Sequence, residues 1–494
     1  MRKLLLGLLP LACTVSSADT QPQQRIAAPN NQPIIEKGSG CGVDQEIAAD
    51  GDVRPRPSPR SSKGAVDKLD HEGGAEDARA PSRPSPAPSA DAPATTTRGA
   101  AVGGRPGAPP PPPSRIATTG ISPRPPMEQP SGVRAGEWDD NANYRDYVKW
   151  LASSTTRGRI DITGRQFIVV TDTAGKPMPN VSLTINGSNG TSAKLVTMAS
   201  GRAIVFPTAF GLRGDLTATA TYGGKTTTAR LATTVDGVIK IELPTQRAVI
   251  AKRRVDLAFV LDTTGSMAEE IDAVKQTIKA VSDQLSNAQT DVRIGLVEYK
   301  DRSDCLLTRT FPFSNDLRAF SASVANISAS GGGDLPEDLH KGLDASLDKL
   351  QWRGDATRMV VVIADAPPQF YAQSNDYANA AKRAATRGIK LYTVAASGMD
   401  NLGQVVMRQM SQVTGGSNMF VLRGGAGPQS VGGGDPKSSC GGTHQDFSSG
   451  KLDQLIMRKV RQELASLDAD PMKIPGRGQD ENAKPCEQRL VVAN

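Results

Sequence analysis

The spacing of apolar residues divides this chain into regions of different character. From Val255 onward, apolar runs of strand length ("VDLAFVLD", "DVRIGLVEY", "TRMVVVIADA", "IKLYTVAA") alternate with segments whose apolar residues recur at helical spacing. Those segments are "EEIDAVKQTIKAVSDQL", "LPEDLHKGLDASLDKL", "DYANAAKRAATRG" and "LGQVVMRQMSQVTGG". Near-continuous apolar strands between helices predict an α/β fold, a doubly wound, mostly parallel sheet covered on both faces, over residues 254–465. "LLTRTFPFS" is placed as an antiparallel edge strand, Met407 and Met410 fall in a helix core, and "KLDQLIMRKVRQELASL" supplies the last helix.

Between 160 and 246 the period shortens. "QFIVVTDTAG", "VSLTING", "AKLVTMA", "RAIVFP", "LTATATY", "KTTTARLA" and "VIKIELP", separated by Gly, Pro and Asn turns, predict about seven antiparallel strands in a small β-sandwich. Ahead of it, residues 138–154 form a helical lead-in, with Asp139, Asp140 or Asn141 as the cap and Tyr144, Tyr147, Val148 and Leu151 on one face. Residues 466–494 are expected to be an irregular tail, and the Gly- and Ser-rich stretch just before the last helix a mobile loop.

Composition changes the picture at the N-terminus. All 20 aromatic residues lie at or beyond Trp138, and 18 of the 35 prolines fall between 51 and 130. Such a segment buries too little apolar surface to offset the entropy of ordering it, so residues 19–137 are expected to form a disordered, Pro-rich stalk. Residues 1–18, "MRKLLLGLLPLACTVSSA", combine two basic residues with an apolar run too short to span a bilayer, the pattern of an export signal. Leu11-Ala12-Cys13 resembles the lipobox of bacterial lipoproteins, with Pro10 where that pattern usually has Leu. Lipidation at Cys13, which would hold the protein to a membrane, and simple cleavage after Ala18 both stay open. Either route implies an exported protein of the cell envelope, lipid-anchored, periplasmic or extracellular.

Charge and the rare residues exclude several chemistries. Fifty-eight Lys plus Arg against 51 Asp plus Glu leave +7, with no basic run longer than Lys252-Arg253-Arg254, so no nucleic-acid partner is expected. Three histidines (His71, His340, His444) and no CxxC pair argue against a zinc centre or a Ser-His-Asp triad. Cys41, Cys305, Cys440 and Cys486 can be free thiols, or Cys440 and Cys486 can clip the tail; spacing does not choose.

Parallel sheets bind ligands at the carboxyl ends of their strands, and there the candidate chemistry lies. Asp262 closes the first strand, followed by Thr264 and Ser266. Asp365 closes "MVVVIAD", and "SASGGGDLPED" places Asp334 in a glycine-rich loop. Three carboxylates and two hydroxyls suit a hard divalent cation: Mg²⁺ first, with Mn²⁺ or Ca²⁺ as alternatives. Asp301 and Asp304 in "YKDRSD" form either a solvated loop or an outer shell or second cation site, with the solvated loop preferred.

These motifs resemble the von Willebrand factor A domain with its metal-ion-dependent adhesion site. The resemblance rests on Asp262-Thr263-Thr264-Gly265-Ser266, "GGGDLPED" and "VIADAPP", in that order. It implies that Thr264 and Ser266 touch the metal, that Asp262 acts largely through water, that Asp365 and Asp334 complete the set, and that a protein partner presents an acidic residue to the open position. "VVTDTAGKPMPNVSLTI" with "MASGRAIVFP" is similar to carboxypeptidase-regulatory-like domains, which implies a spacer or binding platform without chemistry. The implied function is cation-dependent adhesion, not catalysis. A phosphatase of the haloacid-dehalogenase type also begins with Asp at a strand end, but it needs a second Asp where this chain has Thr264. A third reading is a scaffold whose metal serves stability alone.

Overall fold

The computed structural model describes residues 32–42, 45–47, 53–55, 133–153, 160–231, 234–248, 250–286, 290–333, 335–371, 376–396, 398–421, 448–475 and 477. The export signal with Cys13, the Pro109–Pro113 run, Asp334, Cys440 and Cys486 lie outside them.

Five parallel strands form the centre of the fold: Asp291–Tyr299, Arg254–Asp262, Thr357–Ala364, Ile389–Ala395 and Asn418–Val421, in that spatial order. Along Arg254–Asp262, Ala258 and Val260 pack into the apolar layer on one face, while Val255, Leu257, Phe259 and Leu261 pack into the other. Both faces are therefore dry, which is why the run reads as continuously apolar. Helices Leu339–Asp348, Asp376–Thr386 and Asn401–Val413 cover the first face. Ile271–Ser286, Leu317–Ala325 and Leu452–Ser466 cover the second. Met407 and Met410 are fully enclosed in the first layer.

The edges differ from expectation. Leu306–Ser314 pairs antiparallel with Asp291–Tyr299, but it is not the edge: Ile34–Lys37 adds a further antiparallel strand outside it, and Cys41 is disulfide-bonded to Cys305. The proposed stalk at 19–137 is thus corrected at both ends, because Arg134–Trp138 is also a strand of this sheet, antiparallel to Asn418–Val421 and to Ser448–Lys451. Ladder bonds come from the backbone, so a short strand with little apolar patterning can still join the sheet. The order at 138–154 likewise begins in the sheet, with helix Tyr144–Ser153 following.

Seven strands make up the second region. Lys225–Arg230, Leu216–Tyr222, Ser182–Gly187 and Ser192–Val196 form one antiparallel sheet; Gly237–Glu242, Gln166–Thr171 and Arg202–Val205 form the other. The two share a core that includes Ile168, Val170, Leu183, Ile185, Val205 and Ala218. The expectation of wholly antiparallel strands fails at one pair, since Gly237–Glu242 runs parallel to Gln166–Thr171.

Helix Tyr144–Ser153 joins the two regions. Tyr144 and Tyr147 are buried with Phe167 and Phe206 of the sandwich and with Met407 and Met410 of helix Asn401–Val413 on the large sheet. The fully buried Arg408 guanidinium lies 4.0 Å from the Trp150 ring centre and is held by both Asp140 oxygens, one at 2.8 Å. Beyond the last helix, the start of the tail is tied down: Arg247 donates to Asp468 at 2.8 Å, and Arg202 to the Lys473 carbonyl at 2.9 Å. Among the described residues, no helix is long and apolar enough to cross a membrane.

Candidate cation site at the carboxyl edge

Asp262 ends its strand fully buried, and the chain turns at once into the short 3-10 segment Gly265–Glu269. Asp262 Oδ1 accepts from the Thr264 amide at 3.0 Å and the Thr264 hydroxyl at 2.7 Å. Thr264 Oγ1 lies 3.2 Å from Ser266 Oγ, and Ser266 donates to Asp365 Oδ1 at 3.0 Å. Four of the five anticipated residues are therefore in one connected cluster. The fifth, Asp334, is outside the described residues.

The neighbouring loops close on this cluster through backbone bonds. Ser330 donates its amide to the Thr263 carbonyl at 3.0 Å, and Gly265 donates to Gly331 at 3.0 Å. Gly331 and Gly332 have φ of 75° and 90°. A Cβ on Gly331 would lie 2.1 Å from Asp304 Oδ1, so both the conformation and the space demand glycine there. The Lys300 ammonium is committed to the carbonyls of Thr263 and Ser330.

Glu337 is the acid that sequence reasoning passed over. Its backbone is held between Pro367 and Gln369, with bonds of 3.1 and 2.7 Å. Its side chain is 2% exposed, and Oε2 has no hydrogen-bond partner. Burial, reinforced by the charges of Asp262, Asp301, Asp304 and Asp365, pushes its pKa up to about 8. Burial and then the Asp365 charge outweigh the Thr264 and Tyr299 hydrogen bonds and push Asp262 up to about 7; burial also raises Asp365. The signal for Glu337 lies in "GGGDLPED", whose last two acids are both buried in the folded loop, Asp338 accepting from the Tyr371 hydroxyl and Glu337 lying among Asp262, Asp301, Asp304 and Asp365. Asp304 is not the solvated loop residue expected, since its carboxylate accepts from the Gly332 amide at 3.0 Å.

This donor set fits a hard divalent cation. Buried carboxylates repel one another, and the unpartnered Glu337 oxygen carries a desolvation cost that a cation would offset. Among the described residues, no group of three or more His, Cys, Asp or Glu forms a ready metal cage; hydroxyls make up part of the cluster. Ser266 is exposed, so the cluster opens to the surface at that hydroxyl.

Residues 256–424 match the family model of the von Willebrand factor type A domain. This segment is a vWA domain. The vWA match agrees with the central, mostly parallel sheet described above. Curated relatives include alpha-protein kinase vwkA of Dictyostelium discoideum, 35% identical over 140 residues, which cover 27% of this chain and 22% of that protein. Human integrin beta-6 is 24% identical over 147 residues, covering 24% of this chain and 18% of the integrin. This chain thus spans about a fifth of the length of these relatives. Among solved structures, the BatB protein of Bacteroides thetaiotaomicron is 14% identical, with 43% of this chain and 99% of that chain covered and a TM-score of 0.30.

Proposed function

We propose that this protein is an exported, non-enzymatic adhesion module of the bacterial cell envelope, whose vWA domain binds a protein partner through a divalent cation, Mg²⁺ first. The observation that carries the reading is the Asp262–Thr264–Ser266–Asp365 cluster, buried on its protein side and open at Ser266. Thr264 and Ser266 would present hydroxyl oxygens to the cation; Asp262, Asp365 and Glu337 would balance its charge from below. A bound divalent cation supplies a positive centre for a partner's Asp or Glu. The surrounding loops would then select which protein offers that carboxylate.

Two features speak for binding over catalysis. Asp262 is fully buried, with Oδ1 accepting from Thr264 and Oδ2 from Tyr299 at 3.2 Å, which disfavours attack on an external phosphate. Thr264 also stands where that chemistry needs a second acid. The location at the envelope rests on the N-terminal pattern of Arg2, Lys3 and the apolar run to Ala12.

The test is Mg²⁺ titration of the metal-stripped full chain by calorimetry, beside the double variant Asp262→Ala, Ser266→Ala. Saturable binding that disappears in the variant is expected. An intact protein that takes up no Mg²⁺, Mn²⁺ or Ca²⁺ would overturn the reading.

A further inference from the structure

The N-terminal segment lies directly on a loop that supports the cation cluster. Ile34–Lys37 pairs with Leu306–Ser314, and the Glu36 carboxylate receives the Lys349 ammonium. The Gly38 amide donates to the Cys305 carbonyl at 2.9 Å, while the Ser39 amide and hydroxyl donate to the Arg302 carbonyl at 2.8 and 3.0 Å. The approach is so close that a Cβ on Gly38 would stand 2.2 Å from the Asp304 carbonyl oxygen. Cys41–Cys305 then closes a link between residues 264 apart in sequence.

The loop so held reaches inward through one side chain. Asp304 Oδ2 accepts from the Asp301 amide at 3.1 Å and from the Gly332 amide at 3.0 Å. The glycine loop in turn bonds the Asp262–Ser266 turn, through Ser330 to Thr263 and Gly265 to Gly331. Four consecutive layers are therefore in contact: N-terminal segment, loop 301–305, loop 330–333, and the turn that carries Thr264 and Ser266.

We propose that residues 34–41, bonded to Cys305, form a clamp that positions the cation loops, with Asp304 as the positioning residue that passes its hold to the glycine loop. This rests on reading the Asp262 cluster as a cation site. Preorganised ligands bind more tightly because less ordering remains to be done on binding. The clamp therefore raises cation affinity without touching the cation.

Two readouts on the full chain test it. Amide hydrogen exchange in the absence of divalent cations follows Gly265, Ser330 and Gly332, with the amides of Arg254–Asp262 as the control for global stability. Mg²⁺ calorimetry runs in parallel. Asp304→Ala and the double variant Cys41→Ser, Cys305→Ser are each expected to speed exchange at the three amides by about tenfold, the scale of one lost hydrogen bond. The control amides stay protected, and Mg²⁺ affinity falls by about fivefold, somewhat less than the exchange because the cation itself re-orders the loops. Asp304→Asn keeps an accepting oxygen and restores both. Unchanged exchange in Asp304→Ala and in the cysteine pair overturns the clamp. Faster exchange with undiminished Mg²⁺ affinity overturns its bearing on the site. Faster exchange in a protein whose wild type binds no divalent cation supports the mechanical link and sinks the cation reading itself.

Discussion

Asp256 and Asp262 lie near the two ends of one strand, both fully buried, in opposite electrostatic company. At the amino end, Asp256 receives Arg293 through two bonds of 3.0 and 2.7 Å, and Arg353 through its backbone amide at 2.8 Å and its Nε at 2.9 Å. At the carboxyl end, Asp262 faces Asp365 and Glu337, with hydroxyls of Thr264 and Tyr299 as its donors. One residue type on one strand thus serves two purposes. Where the chain supplies its own cations, the acid is part of the architecture. Where acids gather instead, the fold is less stable than it need be, and the site is suited to an external cation.

The sharpest break in that comparison comes from Asp256→Ala. It strands two arginines, partly exposed, and should cost about 3 kcal/mol in thermal or urea unfolding whether or not Mg²⁺ is present. Asp262→Ala should cost the cation-free protein far less, because it relieves like-charge repulsion. Its effect appears on adding metal: Mg²⁺ at a hundred times its dissociation constant should stabilise the wild type by about 2.7 kcal/mol and the variant by almost nothing. Equal losses in the two variants without metal would erase the distinction.

A pH series sharpens it. Asp262, at about 7, and Glu337, at about 8, hold protons in the folded protein that they release when unfolded, where carboxyls titrate near 4. A raised folded pKa contributes stability at low pH and loses it as pH climbs through the folded value. The cation-free protein should therefore lose stability from about pH 4 to pH 8, while apparent Mg²⁺ affinity rises over the upper part of that window. Calorimetry at pH 7 in buffers of different ionisation heat should register proton release on Mg²⁺ binding. Glu337→Gln keeps the shape of the protonated acid but cannot ionise to balance a cation; Mg²⁺ affinity should fall about tenfold, or 1.4 kcal/mol, with cation-free stability unchanged or higher. At the far end of the scale, Lys279→Ala breaks an exposed pair with Asp283 and should shift stability by less than about 0.5 kcal/mol.

The legibility of this protein follows the range of the forces involved. Four of the five parallel strands and most of their covering helices were readable because a strand buried on both faces must be apolar throughout, as in Leu257–Leu261, whereas the short strand Asn418–Val421 and the helix Leu317–Ala325 were not anticipated. Asp262, Thr264, Ser266 and Asp365 were readable because they follow such strands directly. Ile34–Lys37 and Arg134–Trp138 were not: "IIEK" and "RAGEW" are short, mixed segments whose place is set by backbone ladders more than 100 residues away. Cys41 gives no local sign that Cys305 is its partner. Glu337 stood in view within its motif, yet only the folded loop shows that it is buried within reach of the charges of Asp262, Asp301, Asp304 and Asp365.

By itself, then, the sequence determined the alternation of strands and helices, the separate sandwich, and the kind of atom that ends the first strand, because periodicity and turn chemistry act over a few residues. The tertiary structure alone decided which segments close the two edges of the sheet, which cysteine meets which, and that one strand is balanced by arginines at one end and crowded by acids at the other. Charge balance and edge pairing depend on distances between residues far apart in the chain, and those distances exist only once the chain has folded.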